Sequence, residues 1–327
     1  MASACRAAPV RVLFPFVLSV CIALALTLGA GPKWTPAPVP PPTAWAKAGA
    51  RSWTLCEDLE RKVMSVQANA VGRGQSLPGA DESWSKHAVR CPNVPAVLLQ
   101  AAQDELSDTA ALDPESGELE AMFEAHRERT ARALRWLEAG LAEAERRATF
   151  AHPQLRYYRA YALVGLGRYD AAASALAEAD RAGDIERWRS DRMFALIEVL
   201  RDDLDRALWL AHRGVIDAPL QDRSISRYIH AYVLDRVGAS DEALEELRRL
   251  RRESGHTGPR RAVESVLPMH ERIYLRALDH QASGEKSNAI RLWNAYLARP
   301  EPTEPDKELA RRHLGELEPL PPRVGGP

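Results

Sequence analysis

The chain has 327 residues, 44 basic and 45 acidic side chains and a formal net charge of −1. So even a balance excludes a dedicated nucleic-acid binder, which needs a clustered basic surface to displace counterions. With 46% hydrophobic but only 6% aromatic residues, the core has to be built from Ala and Leu, and that composition suits an all-α fold.

Residues 1–31 read as a signal peptide or membrane anchor. Arg6 and Arg11 precede the uncharged run VLFPFVLSVCIALALTLGA, long and apolar enough for either role. The expected location of the body is then the periplasmic side of the cell envelope, with the membrane touched through the N-terminal segment alone. Pro36, Pro38 and Pro40 to Pro42 mark residues 32–50 as a Pro-rich linker. Extended at about 3.1 Å per residue, it would hold the body roughly 40 Å from the bilayer; the alternative is a disordered tether with no preferred reach.

Residues 51–150 form an N-terminal helical region. Periodicity predicts helices over 52–69, 94–107 and 116–149, with Asp113-Pro114-Glu115 as the start of the last. The long segment reads either as one helix or as a hairpin breaking near Arg129-Thr130, and residues 70–83 read as a loop. Cys56 and Cys91 are the two cysteines beyond the leader. An isolated pair in an oxidising compartment predicts a disulfide, and the absence of a CxxC spacing argues against a redox site.

Residues 151–300 carry the strongest signal. Ala160, Gly167, Ala172, Leu176 and Ala179 set a pattern of small and large residues that returns three more times, with anchors at Gly167, Asp202, Gly238 and Gly284. The spacings are 35, 36 and 46 residues, a repeat near 34 with one insertion, SGHTGPRRAVES, which reads as a loop or a loop with one helical turn. Two short helices joined by a tight turn must approach closely where they cross, so small residues belong at the contact. Glycine belongs where the first helix stops, because it alone takes a left-handed backbone without cost. The second copy departs from the pattern, with Asp202 at the turn and Glu198 where Leu163 sits in the first. Residues 301–318 read as a capping helix, and 319–327 as a disordered tail.

The strings GLGRYDAAASAL, VGASDEALEEL and ASGEKSNAIRLW resemble the turn and second helix of tetratricopeptide repeats over about 154–298. The resemblance implies a right-handed α-solenoid whose first helices line a concave groove for a protein or peptide partner. The groove positions it implies are Tyr157 and Tyr161, Arg192 and Leu196, Tyr228 and Tyr232, Tyr274 and Leu278. The alternative is that the tyrosines pack between neighbouring hairpins.

The sequence offers little for chemistry. It contains no HExxH, GxSxG, GxxxxGK[ST] or GxGxxG string and no Cys/His cluster at zinc spacing. No catalytic residue, cofactor or metal is assigned, and the reading is not an enzyme. A non-catalytic interaction scaffold of the bacterial cell envelope is expected, with a regulatory or assembly subunit of an envelope complex as the alternative and a cell-wall hydrolase third.

Overall fold

Alanine- and leucine-rich segments with a three-to-four spacing of apolar residues bury one stripe each, and the fold follows from stacking those stripes. The computed structural model describes residues 56–61, 63, 84–110, 119–147, 153–254 and 257–318, and these are helical apart from short turns. Five antiparallel hairpins succeed one another. They are α2 (Pro95–Ala110) with α3 (Leu119–Arg146), α4 (Pro153–Gly165) with α5 (Tyr169–Arg181), α6 (Arg187–Leu200) with α7 (Leu204–Asp217), α8 (Arg223–Arg236) with α9 (Ser240–Ser254), and α11 (Met269–Ala282) with α12 (Lys286–Leu297). Outside these pairs stand α1 (Trp84–Arg90), α10 (Thr257–Glu264) and α13 (Glu304–Leu317), and the described residues 56–61 and 63, within the expected first helix, are helical as well.

The repeat anchors all behave alike. Gly167, Asp202, Gly238 and Gly284 have φ of 73°, 64°, 88° and 77°. Each ends its helix with a pair of backbone bonds, one from the anchor's own N–H to the carbonyl three residues back and one from the next N–H to the carbonyl five back. In the first copy these are Gly167 to Val164 and Arg168 to Leu163, both 2.9 Å. Val199 and Glu198, Asp235 and Leu234, and Gln281 and His280 accept in the other three. This closure of the last turn satisfies carbonyls that the helix leaves open.

The small residues sit at the crossings, as expected. Ala160 and Ala172, Ala195 and Ala207, Ala231 and Ala243, and Ala277 and Ala289 are all completely buried. A larger side chain at any of them would have to push two helices apart, at a typical cost of about 1–3 kcal/mol. Glu198, the odd residue of the second copy, is buried but paired with Arg201 at 3.1 Å and Arg206 at 3.3 Å.

The same core runs from α2 and α3 into the repeats, so the N-terminal hairpin stacks as one more layer. A smaller cluster, with Leu59, Val63, Trp84 and Ala88, surrounds the Cys56–Cys91 disulfide. At the other end α13 begins with a capping box between Thr303 and Asp306. It seats Leu309, Ala310 and His313 in the core, and His313 stacks on Trp293 at 4.7 Å.

Several expectations change. Residues 84–90 form a helix that the polar sequence around them hid. Of the two readings of the long segment the single helix holds, Leu119–Arg146 running with no break at Arg129-Thr130. The insertion folds as α10, and that one extra helix reverses the direction of the final hairpin. Arg236 at the end of α8 pairs with Glu271 at the start of α11 at 3.6 Å, Tyr228 in the first half of α8 lies beside Asp279 near the end of α11, and Arg251 at the end of α9 meets Glu285 just beyond α11 at 3.2 Å. Helix α11 therefore runs antiparallel to α8 and parallel to α9, the opposite of what a regular fourth copy would do. The corner is fixed by buried Arg272, which donates to the carbonyls of Leu267 at 2.9 Å and Ser265 at 3.2 Å. The array also curls until distant parts meet: Tyr161 bonds to Ser265, and Arg299 pairs with Glu120.

Residues 1–50, which hold the expected leader and linker, and 319–327 lie outside the described residues. No helix among the described residues is long and apolar enough to cross a membrane.

Candidate functional site

Two cavities open on the inner side of the stack. The first, of about 480 Å³, lies along the N-terminal halves of α4, α6 and α8 and is walled on its far side by the inserted α10 and the residues after it. Its aromatic edge is Tyr157, Tyr158 and Tyr161, three rings of one helix whose successive centroids are 5.5 and 5.8 Å apart. Its apolar floor includes Met193, Leu196, Ile229 and Val266.

Its charge is one-sided. Arg189, Arg192 and Arg261 line it, and among the described residues no carboxylate does. Arg192 lies with its guanidinium 4.8 Å from the Trp188 ring and makes no hydrogen bond or ion pair with the described residues; its Nη1 is buried without a partner. The reason lies in the helix: the side chains a turn away on α6 are Trp188, Arg189, Ala195 and Leu196. Its acidic neighbour Asp191 is buried on another side of α6, where Arg213 of α7 takes it at 2.6 Å. Gly214 of α7 packs behind Arg192, where an added Cβ would make only ordinary contact at 3.7 Å. Arg189 approaches exposed Glu186 at 3.3 Å, yet its Nε is also buried without a hydrogen bond. Arg261 is exposed at the rim and makes no ion pair with the described residues. Burial, then neighbouring Tyr157, raises the Tyr158 hydroxyl, while Gln103 and the two guanidiniums oppose the rise. Burial also holds Tyr161 well above the usual tyrosine range, so both stay neutral donors.

The second cavity, of about 590 Å³, lies at the turn ends of α4, α6 and α8, beside the start of α11. Six carboxylates line it, from Glu120, Glu124, Asp202, Glu271, Glu301 and Asp306, against three guanidiniums from Arg127, Arg236 and Arg299. Here each guanidinium is satisfied by the protein. Arg236 pairs with Asp306 at 2.7 Å and Glu271 at 3.6 Å, Arg299 with Glu301 at 2.9 Å and with Glu120, and Arg127 with Glu124 at 2.7 Å. His126 beside it is kept neutral, its pKa lowered to about 3 by burial and by Arg272 and His270.

The eight positions expected on a groove divide between core and cavity: Leu196 lies in the first cavity's floor and Leu278 is completely buried, and the other six split in the same way. Tyr157, Tyr161 and Arg192 come together in the first cavity. Tyr228, Tyr232 and Tyr274 do not face an open groove: all three are completely buried. The correction follows from α10 and α11 occupying the inner side of the stack. Tyr232 donates to Glu271 and Tyr274 to Asp235, which also binds His313 at 3.1 Å. Burial, with a carboxylate beside each ring, pushes all three hydroxyls well above their ordinary value. Sequence reasoning missed Tyr158, Arg189 and Arg261. The paired arginines of the insertion were visible as a string, but a local pattern cannot show that the insertion folds back over α4. Among the described residues no group of three or more His, Cys, Asp or Glu is placed to hold a metal ion.

Residues 154–298 are thus tetratricopeptide-like hairpins in anchor geometry, crossing residues and connectivity, with the last pair reversed. No family model and no curated protein matches the chain. Two solved structures are similar in fold. One is YrrB, described as a TPR protein with an unusual peptide-binding site, at 16% identity over 71% of this chain and 98% of that one, with a TM-score of 0.35. The other is a tetratricopeptide repeat protein from Parabacteroides merdae, at 18% identity over 79% of this chain and 98% of that one, with a TM-score of 0.40.

Proposed function

We propose that the protein is a non-catalytic interaction scaffold that holds a partner protein or peptide of the bacterial cell envelope at the tyrosine- and arginine-lined cavity. The observation that carries this reading is Arg192, a guanidinium set into the inner wall with a buried, unpartnered nitrogen. An unsatisfied buried donor costs about 1–3 kcal/mol and more when charged, and of the buried guanidinium nitrogens that make no hydrogen bond among the described residues, those of Arg189 and Arg192 line this cavity and none lines the other. A partner that supplies the missing acceptor recovers that cost on binding. Tyrosines beside it add contact area with little entropy to lose, as at many interface hot spots. The envelope location is part of the proposal, and what supports it is the leader-like composition of residues 1–31 and the Cys56–Cys91 disulfide, a bond that persists in oxidising compartments.

The test is photo-crosslinking from Tyr157 and from Arg261, each replaced in turn by a photoreactive residue in the native host. One protein should be captured from both positions and lost when Arg192→Gln is added. Capture of nothing, or of the same proteins from an outer-face position such as Arg206, would overturn the reading.

A further inference from the structure

Resting on that reading, we propose that the basic cavity recognises a carboxylate carried on an apolar stem, supplied either by an acidic residue of a partner peptide flanked by apolar residues or by a free small organic acid. Three features of the cavity select this chemistry. The first is its unbalanced charge: Arg189, Arg192 and Arg261 face a lining without a carboxylate among the described residues, and of the three only Arg189 has an ion pair, with Glu186 outside the lining, whereas the guanidiniums of the second cavity are all ion-paired within the chain. A guanidinium presents a planar fork that matches a carboxylate in two parallel hydrogen bonds, and the match is strongest where water is thin.

The second feature is the apolar wall around the charge. Met193, Leu196, Ile229 and Val266 form the floor, so an inorganic anion would leave most of the wall uncovered. An aliphatic or aromatic stem covers it, with the tyrosine edge as a stacking surface. The third is volume. About 480 Å³ is within the usual range for a small-ligand site, which limits the occupant to one anchoring side chain with its neighbours, or one small acid. Gln103, Ser107 and Ser265 add neutral polar groups at the wall that can orient the head without repelling it.

The experiment is calorimetric titration of the folded chain with 3-phenylpropionate and, as the uncharged match, 3-phenylpropionamide. In parallel, acetyl-Leu-Glu-Leu-amide is compared with acetyl-Leu-Gln-Leu-amide. The acid should bind at least tenfold tighter than its amide. Arg192→Gln should weaken the acid at least tenfold and Arg261→Gln severalfold, with partial recovery in Arg192→Lys and little change for the amide. Tighter binding of the Glu peptide than of the free acid assigns a peptide source, and the reverse order assigns a small organic acid. Equal binding of acid and amide, or binding unchanged in both Gln variants, overturns the proposal. Should Arg192→Gln fail to fold by circular dichroism, exposed Arg261 carries the test alone. Failure here together with specific crosslinking would remove the carboxylate anchor and leave the scaffold. Acid binding without any crosslinked protein would do the opposite.

Discussion

The two cavities lie at opposite ends of α4, α6 and α8 and treat charge in opposite ways. At the turn end, each guanidinium has a carboxylate from the same chain, and α13 is pinned to α8 through Arg236–Asp306 and His313–Asp235. At the other end, Arg192 has none among the described residues. The difference separates charge that holds the fold from charge that the fold leaves available, two roles that a count of charged residues cannot distinguish.

The contrast predicts its sharpest result for a matched pair of substitutions. Arg236→Met removes the partner of two mostly buried carboxylates, Glu271 and Asp306, and should cost about 3–5 kcal/mol in urea denaturation. Arg192→Gln removes a guanidinium with no counter-ion and should cause no loss, and by relieving its unmet donor should stabilise the protein by up to about 1–3 kcal/mol. Similar losses in both would break the distinction between the two ends.

Reduction of Cys56–Cys91 is the next largest effect. The bond closes a 35-residue separation, which the chain-entropy model values at about 4 kcal/mol. It tethers the small cluster around Trp84 and Ala88 and touches neither cavity. Reduced protein should therefore lose hydrogen-exchange protection first in α1, while the affinity for 3-phenylpropionate stays as it was.

Acid should act on the turn end before the basic end. His126 has a folded pKa near 3, below its ordinary 6.5, so the unfolded chain binds its proton more readily. Its contribution is complete above pH 6.5 and is lost as pH falls toward 3, by up to about 1.4 kcal/mol per pH unit. Away from both cavities, beyond the end of α11, Glu285 is also lowered, to about 2; burial alone would raise it, but hydrogen bonds from His280 and Asn288 prevail. Its contribution is present above the ordinary carboxylate range and is lost below it, and half-exposed Glu285 counts for less than buried His126. Denaturation midpoints measured from pH 7 to 4 should fall steadily, and His126→Gln should flatten the fall.

How much of this the sequence carries depends on the range of the interaction. The repeat units, the crossing alanines, the turn anchors and the disulfide pair were legible because each is set by local backbone geometry or by composition. The fate of Tyr228, Tyr232 and Tyr274 was not. Their position in the repeat is that of a groove residue, and their burial depends on α11 running antiparallel to α8. That reversal depends in turn on the insertion between the third and fourth copies forming one helix, α10, and not a loop. A change in helix parity has no local signature. Register alone points to Arg192, and its missing counter-ion is apparent only once Asp191 is seen bonded to Arg213.

The smallest predicted effect bears on the acidic end alone. Asp202 is the one anchor that is not glycine, and it holds φ of 64°, a conformation that costs an L-residue about 1–2 kcal/mol, somewhat less for Asp. Its carboxylate makes no ion pair or hydrogen bond with the described residues, so the strain is not offset by a contact within the fold. Asp202→Gly should therefore stabilise the protein by up to about 1 kcal/mol, the gain limited by the greater freedom of glycine in the unfolded chain. Gly238→Ala, at φ of 88° with nothing within 4 Å of its would-be Cβ, should lose about 1 kcal/mol through backbone strain alone. The two changes isolate the turn from its side chain. If Asp202→Gly destabilised instead, the carboxylate would be contributing to the field that holds Arg236 and Arg299, and the acidic end would be balanced by more than its visible ion pairs.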